Sequence, residues 1–136
     1  MNRVVHFEIH AADPARAAEF YRAVFGWTIN EWVVPGVTLP DANRYWLVGT
    51  GESTERGIDG GMVIRRGAPP EAGQSVNAYV CTIGVESLDT SVSAAVAAGA
   101  TMALPKMPIK GVGWLAYCHD TEGNLFGMLQ NDPTAG

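Results

Sequence analysis

Val4-Val5-His6-Phe7-Glu8-Ile9-His10, followed by Asp13-Pro14 and a run ending at Phe25-Gly26, is the stretch whose reading decides the fold. In an extended strand alternate side chains share a face, so Val5, Phe7 and Ile9 point one way and His6, Glu8 and His10 the other. Two imidazoles flanking a carboxylate make an unusual polar face. It is read either as a solvated or structural wall, or as the lining of a pocket. Asp13 is placed to cap the following helix, and Pro14 suits its first position. Ala17, Phe20, Tyr21 and Val24 recur at three-four spacing before Gly26 ends it.

Outward from this unit the chain alternates strands and breakers. Trp27 to Val34 reads as a strand closed by Pro35-Gly36. Tyr45 to Val48 is the next, and Gly60 to Ile64 a fourth. Residues 67–75, with Pro69-Pro70, form a linker. The pattern then repeats: a strand over Val76 to Gly84, a helix carrying Leu88, Val92, Ala95 and Val96, and strands at Ala100 to Leu104, Gly113 to Cys118 and Leu125 to Gln130. The strand-helix junctions Asp13 and Ser87 lie 74 positions apart, and Gly26 and Gly99 lie 73 apart. Each half is therefore βαβββ, module 1 over about residues 1–66 and module 2 over about 76–131. The expected fold is α+β in a single domain, 1–136, with the two modules paired into one cupped mixed β-sheet and the helices on its outer face. On that geometry Val5, Phe7 and Ile9 pack against Phe20, Tyr21 and Val24, and His6, Glu8 and His10 line the hollow.

Composition narrows the function classes. A chain of 136 residues removes roughly two-thirds of its unfolded surface from water on folding, enough for a core without staples. No run of eighteen apolar residues and no signal-like segment is present, so the expected location is the cytoplasm and no membrane partner is expected. Net charge is −5 and the nine basic residues do not cluster beyond Arg65-Arg66, which argues against nucleic acid. Cys81 and Cys118 stand alone in apolar runs and read as buried, reduced thiols.

His6-Phe7-Glu8-Ile9 with Asp13, Phe20-Tyr21 through Phe25-Gly26-Trp27, Gly60-Gly61-Met62, Ala98-Gly99-Ala100 and His119-Asp120 through Gly123-Asn124 together resemble the vicinal oxygen chelate superfamily of glyoxalases, bleomycin-resistance proteins and extradiol dioxygenases. The run Leu104 to Ile109 with Gly111-Val112-Gly113 is similar to small bacterial proteins described as predicted enzymes related to lactoylglutathione lyase. The resemblance implies a metal site with one ligand on the first and one on the last strand of each half. His6 falls on the first position, Val80 on its repeat, Gly127 on the last, and the remaining one near Ile64. His6 is the only ligand retained, so no metal cofactor is expected. A divalent metal held by an improvised site on the first strand is the alternative. There a His-x-Glu pair spans roughly 6.5 to 7 Å between Cα atoms, whereas His6 and His10 lie about 13 Å apart.

Without metal, the same face supports acid-base work, Glu8 and His6 acting as proton acceptor and donor near neutral pH. The plainer account is that Glu8 and His6 pair with each other, or with Arg44 or Lys106, and close a polar hole. His10, Tyr45, Trp46, Trp114 and Met128 are the expected ligand-binding residues of the hollow, with Lys106 at its rim meeting an anionic group. The tryptophans equally suit a core, and Gly60-Gly61 suits a tight strand turn. The function expected is therefore a small-molecule-binding, glyoxalase-like protein, either a metal-independent lyase or isomerase using Glu8 and His6, a metal-dependent lyase or dioxygenase, or a sequestering resistance-type binder. A homodimer is expected.

Overall fold

The structure, a computed structural model, describes all 136 residues. Contacts divide them into two units, His6–Tyr79 and Met1–Val5 with Val80–Gly136. The division thus falls beyond the expected linker, and the first five residues group with the second half. Asn2 donates its backbone N–H to the Gly84 carbonyl at 2.7 Å there.

The first module contains β1 (Arg3–Ala11), α1 (Pro14–Phe25), β2 (Thr28–Glu31), β3 (Trp46–Gly49) and β4 (Gly60–Ile64). Its strands run in the order β2-β3-β4-β1, with β1 parallel to β4 and the other pairs antiparallel. Asp13 caps α1 by accepting the Arg16 N–H at 3.1 Å, which satisfies one of the donors that a helix leaves unpaired at its start. Gly26 ends it in the left-handed region at φ 68°, its N–H bonded to the Arg22 carbonyl. Phe7, Ile9 and Ala11 on β1 are buried, as are Ile29, Trp46, Val48 and Met62 on the other strands.

The helix presents only part of the expected stripe, Ala17 and Tyr21. Its covered line runs through Pro14, Ala17, Ala18 and Tyr21, and Ala18 is its one fully buried residue. Phe20 and Val24 stay exposed, at 55% and 56%. Small side chains at the contact let the helix lie close to the strands, which turns its bulkier residues to the flanks. Aromatic packing is carried instead by Tyr21 stacked on Trp27, with ring centroids 5.1 Å apart, and by Phe7 stacked on Tyr79 at 5.3 Å. Val5 is likewise half exposed at 45% rather than part of this packing.

The second module contains β5 (Val80–Gly84), α2 (Leu88–Ala97), β6 (Thr101–Ile109), β7 (Gly113–His119) and β8 (Leu125–Asn131), in the strand order β5-β8-β7-β6. Here β5 and β8 are parallel, and β7 is antiparallel to both its neighbours. Ser87 caps α2 by accepting the Thr90 N–H. The core is Val85, Leu88, Ala116, Cys118 and Met128, with Trp114 and Phe126 packed against it. The strand β6 extends beyond the expected Leu104 and runs through Pro105 and Pro108. It pairs only with β7 within the module, and its register shifts between Met102 and Leu104 and again between Leu104 and Met107. An edge strand with irregular pairing is where prolines, lacking an N–H, fit a sheet. No helix is long and apolar enough to cross a membrane.

Candidate functional site

On β1 the strand period separates Phe7, Ile9 and Ala11, buried in the core, from His6, Glu8 and His10, which are half-buried on the opposite face. The parallel register sets Glu8 beside Gly61 and His10 beside Val63. Tyr45, just before β3, reaches the same face. A Cβ built on Gly61 would lie 1.8 Å from the Tyr45 hydroxyl oxygen, so the phenol rests directly on that glycine. The Tyr45 hydroxyl is 2.9 Å from His6 Nε2, and Glu8 Oε2 is 3.9 Å from the same nitrogen.

The Glu8 side chain keeps only 19% of its exposure. Burial is the largest influence on its carboxyl and pushes the pKa up, but hydrogen bonding and charge from His6, hydrogen bonding from Tyr45 and the charge of His10 together outweigh it. The net result is a carboxyl held below its ordinary value. When Tyr45 donates its O–H to that carboxylate, the phenol oxygen is left to accept the His6 Nε2–H, and the three groups form a chain. A lowered value favours the ionised carboxylate, which makes Glu8 the acceptor in this chain.

Arg65 completes the far end of the face, a role the sequence reading missed. Its Nη2 donates to the His10 carbonyl at 2.6 Å and its Nη1 to Asn77 Oδ1 at 3.4 Å, which fixes the end of β1. Gly60-Gly61 opens β4, within the strand expected from Gly60 to Ile64, so of the two readings of these glycines the strand holds and the tight turn does not. Glycine inside a strand marks a close approach of another group, and that signal was present in the sequence.

Trp46 belongs to the opposite face. It neighbours Tyr45 in an extended segment, so the two side chains diverge, and its indole is 8% exposed with the Arg44 guanidinium 4.8 Å from the ring centre. Arg44 is held by Glu31 at 2.8 Å and does not pair with Glu8. In the second module Trp114 and Met128 pack with the core that includes Leu88 of α2, not on an open sheet face. Strand parity again gives the reason, because Trp114, Ala116 and Cys118 alternate onto one side. Trp114 Nε1 donates to Asp132 at 3.0 Å. Lys106 pairs with Asp89 of α2 at 2.9 Å and lies 5.0 Å above the Trp114 ring. Of the expected ligand-binding residues, the structure brings His10 and Tyr45 to Glu8 and His6 and turns Trp46 to the opposite face of its strand, while within module 2 Trp114 and Met128 pack with the core and Lys106 pairs with Asp89.

The repeat can now be read from registers. Glu8 pairs with Gly61 and Thr82 with Gly127, so Gly61, not a residue near Ile64, is the first-half counterpart of Gly127. The four positions at which the resemblance implies metal ligands are therefore His6, Gly61, Val80 and Gly127, and only His6 has a donor atom. These residues do not fit a divalent metal. Nor do His6, Glu8 and His10 converge, as no group of three or more His, Cys, Asp or Glu side chains is arranged to hold an ion. Module 2 carries Val80, Thr82 and Gly84 at the positions of His6, Glu8 and His10.

Comparison with known proteins agrees with the architecture. Residues 3–36 match a family model for the N-terminal part of bleomycin resistance protein-like proteins. No curated protein matches the chain. Among solved structures, a methylmalonyl-CoA epimerase in complex with methylmalonyl-CoA and ammonium is similar over 100% of this chain and 99% of its own, at 16% identity and a TM-score of 0.65. A hypothetical protein from Bacillus halodurans aligns over 98% of this chain and 97% of its own, with 14% identity and a TM-score of 0.66. The methylmalonyl-CoA epimerase of Mycobacterium tuberculosis covers 96% of this chain and 88% of its own, at 16% identity and a TM-score of 0.61. At these identities the likeness is one of fold.

Proposed function

We propose that this chain, which has the vicinal oxygen chelate fold, binds a small carbonyl-bearing metabolite on the β1 face and acts on it as a metal-independent isomerase or lyase. The observation that carries this reading is the Glu8 carboxyl, largely withdrawn from water on the β1 face and in contact with His6 and Tyr45. A desolvated, oriented carboxylate is a base placed to take a proton from a carbon next to a carbonyl. In that step the C–H bond breaks, the proton passes to a Glu8 oxygen, and the electron pair moves into the carbonyl to give an enolate. Return of the proton to either face of the carbon completes an isomerisation. His6 and Tyr45 orient the carboxylate, and His10 lines the same face.

The test is exchange at carbon. A panel of α-substituted carbonyl compounds incubated with the protein in D2O is expected to show protein-dependent deuterium uptake at the α-carbon by NMR, and Glu8→Gln is expected to lower it by about 100-fold or more. Uptake unchanged in Glu8→Gln would remove Glu8 from the chemistry. The match of residues 3–36 to the bleomycin resistance protein-like model favours a second reading, a sequestering binder without turnover. Ligand-dependent thermal stabilisation with no exchange in the parent protein would select it.

A further inference from the structure

Two adjacent glycines of β4 are confined by different things. A Cβ on Gly60 would lie 2.4 Å from the Phe7 carbonyl oxygen, so backbone excludes it. On Gly61 the nearest obstacle is the Tyr45 phenol, with its hydroxyl oxygen at 1.8 Å and the carbon bearing it at 2.1 Å. Gly61 stands directly beside Glu8 in the register, and its backbone needs no glycine-only conformation. Its lack of a side chain is accounted for by the phenol lying over it.

We propose that Gly61 and Tyr45 are paired positioning residues for Glu8: the missing side chain seats the phenol, and the phenol hydroxyl, joined to His6, sets the orientation of the carboxylate. In the second module a tyrosine also borders the counterpart glycine, but from a different position. A Cβ on Gly127 would lie 3.0 Å from Tyr117 Cε1 and 2.8 Å from the hydroxyl of Thr82, the residue at Glu8's position. Tyr117 is paired directly with Gly127, whereas Tyr45 lies two residues before Leu47, the partner of Gly61, and only the first module sets a carboxylate beside the glycine. Gly61 is also the position at which the resemblance implies a metal ligand, so the phenol occupies the space that such a ligand would need. The groups that act on Glu8 within the first module include His6 and His10 from β1 and Tyr45 from the segment before β3. From β4, Gly61 and Val63 bring no titratable group.

The inference gives Tyr45 its place in the proposed reaction and rests on that reading for its purpose, but its test needs no ligand. Carbon-13 NMR of the glutamate carboxyls in the full chain follows Glu8 through an acid titration, with Glu8→Gln assigning the signal. Tyr45→Phe, which removes one oxygen and keeps the ring on Gly61, is expected to raise the Glu8 midpoint. Gly61→Ala is expected to raise it too, and the double variant to match the single ones. A midpoint unmoved in Tyr45→Phe, or effects of the two substitutions that add, would overturn the inference. Tyr45→Phe decides the matter even if the alanine variant does not fold. A moved midpoint without α-carbon exchange would count against the proposed function and not against the positioning.

Discussion

Glu8 shows how a single residue couples the site to stability. Its folded pKa is depressed, so it binds its proton less readily in the native state than in the unfolded chain. The stabilisation this brings is present above the unfolded carboxylate value of about 4.3 and is lost as pH falls through the lower folded value. Glu8→Gln is therefore expected to be less stable than the parent near neutral pH, with the gap closing in acid. Urea unfolding measured from about pH 7 down to about pH 2 checks this, and a gap that stays constant would mean that the charge of Glu8 contributes nothing. The same residue was legible in the sequence because strand alternation alone puts it between His6 and His10. Tyr45 was expected on the same wall, but its hydroxyl contact with His6 was not legible, since it spans 39 positions and depends on the registers of β1, β4 and β3.

At the scale of elements, parity and caps account for most of what was read well and most of what was not. Asp13-Pro14 and Ser87 are local signals, satisfied by N–H groups three residues on, and they mark the helix starts without help from the rest of the chain. Asp13→Ala is expected to cost about 1 kcal/mol in chemical denaturation. Gly60→Ala is expected to cost about 1–3 kcal/mol in the same assay, because the added methyl meets the Phe7 carbonyl, which cannot turn aside as a side chain can. A Gly60→Ala protein as stable as the parent would show that β1 and β4 are less closely apposed than described. Tyr45 and Trp46 are adjacent on one extended segment, and parity forbids them one wall. Trp114 and Met128 went astray for a related reason: which side of a strand α2 covers is set by its packing, and the sequence supplies only the alternation.

At the scale of the whole chain, two βαβββ modules share a plan and differ in chemistry. The pair His6 and Glu8 in the first is replaced by Val80 and Thr82 in the second, and two of the positions at which the resemblance implies metal ligands are glycines. From this donor set the protein purified without chelator is expected to carry only trace metal, and Zn²⁺, Ni²⁺, Mn²⁺ or Fe²⁺ to leave its melting temperature unchanged. Elemental analysis and thermal shift check both. A shift of several degrees that disappears in His6→Ala would instead establish an ion at the first-strand position.

What the sequence determined by itself was whatever depends on near neighbours along the chain: the alternation that lines up His6, Glu8 and His10, the helix caps, the βαβββ repeat and the lack of a donor atom at Val80 and Gly127. The tertiary structure decided which groups meet them. Tyr45 reaches Glu8 and His6 because Gly61 leaves it room, while Trp46, Trp114 and Met128 turn into cores and Lys106 turns to Asp89. The physical reason is that periodicity assigns a side chain to one of two faces, whereas the choice of face to cover and the register of distant strands follow from packing.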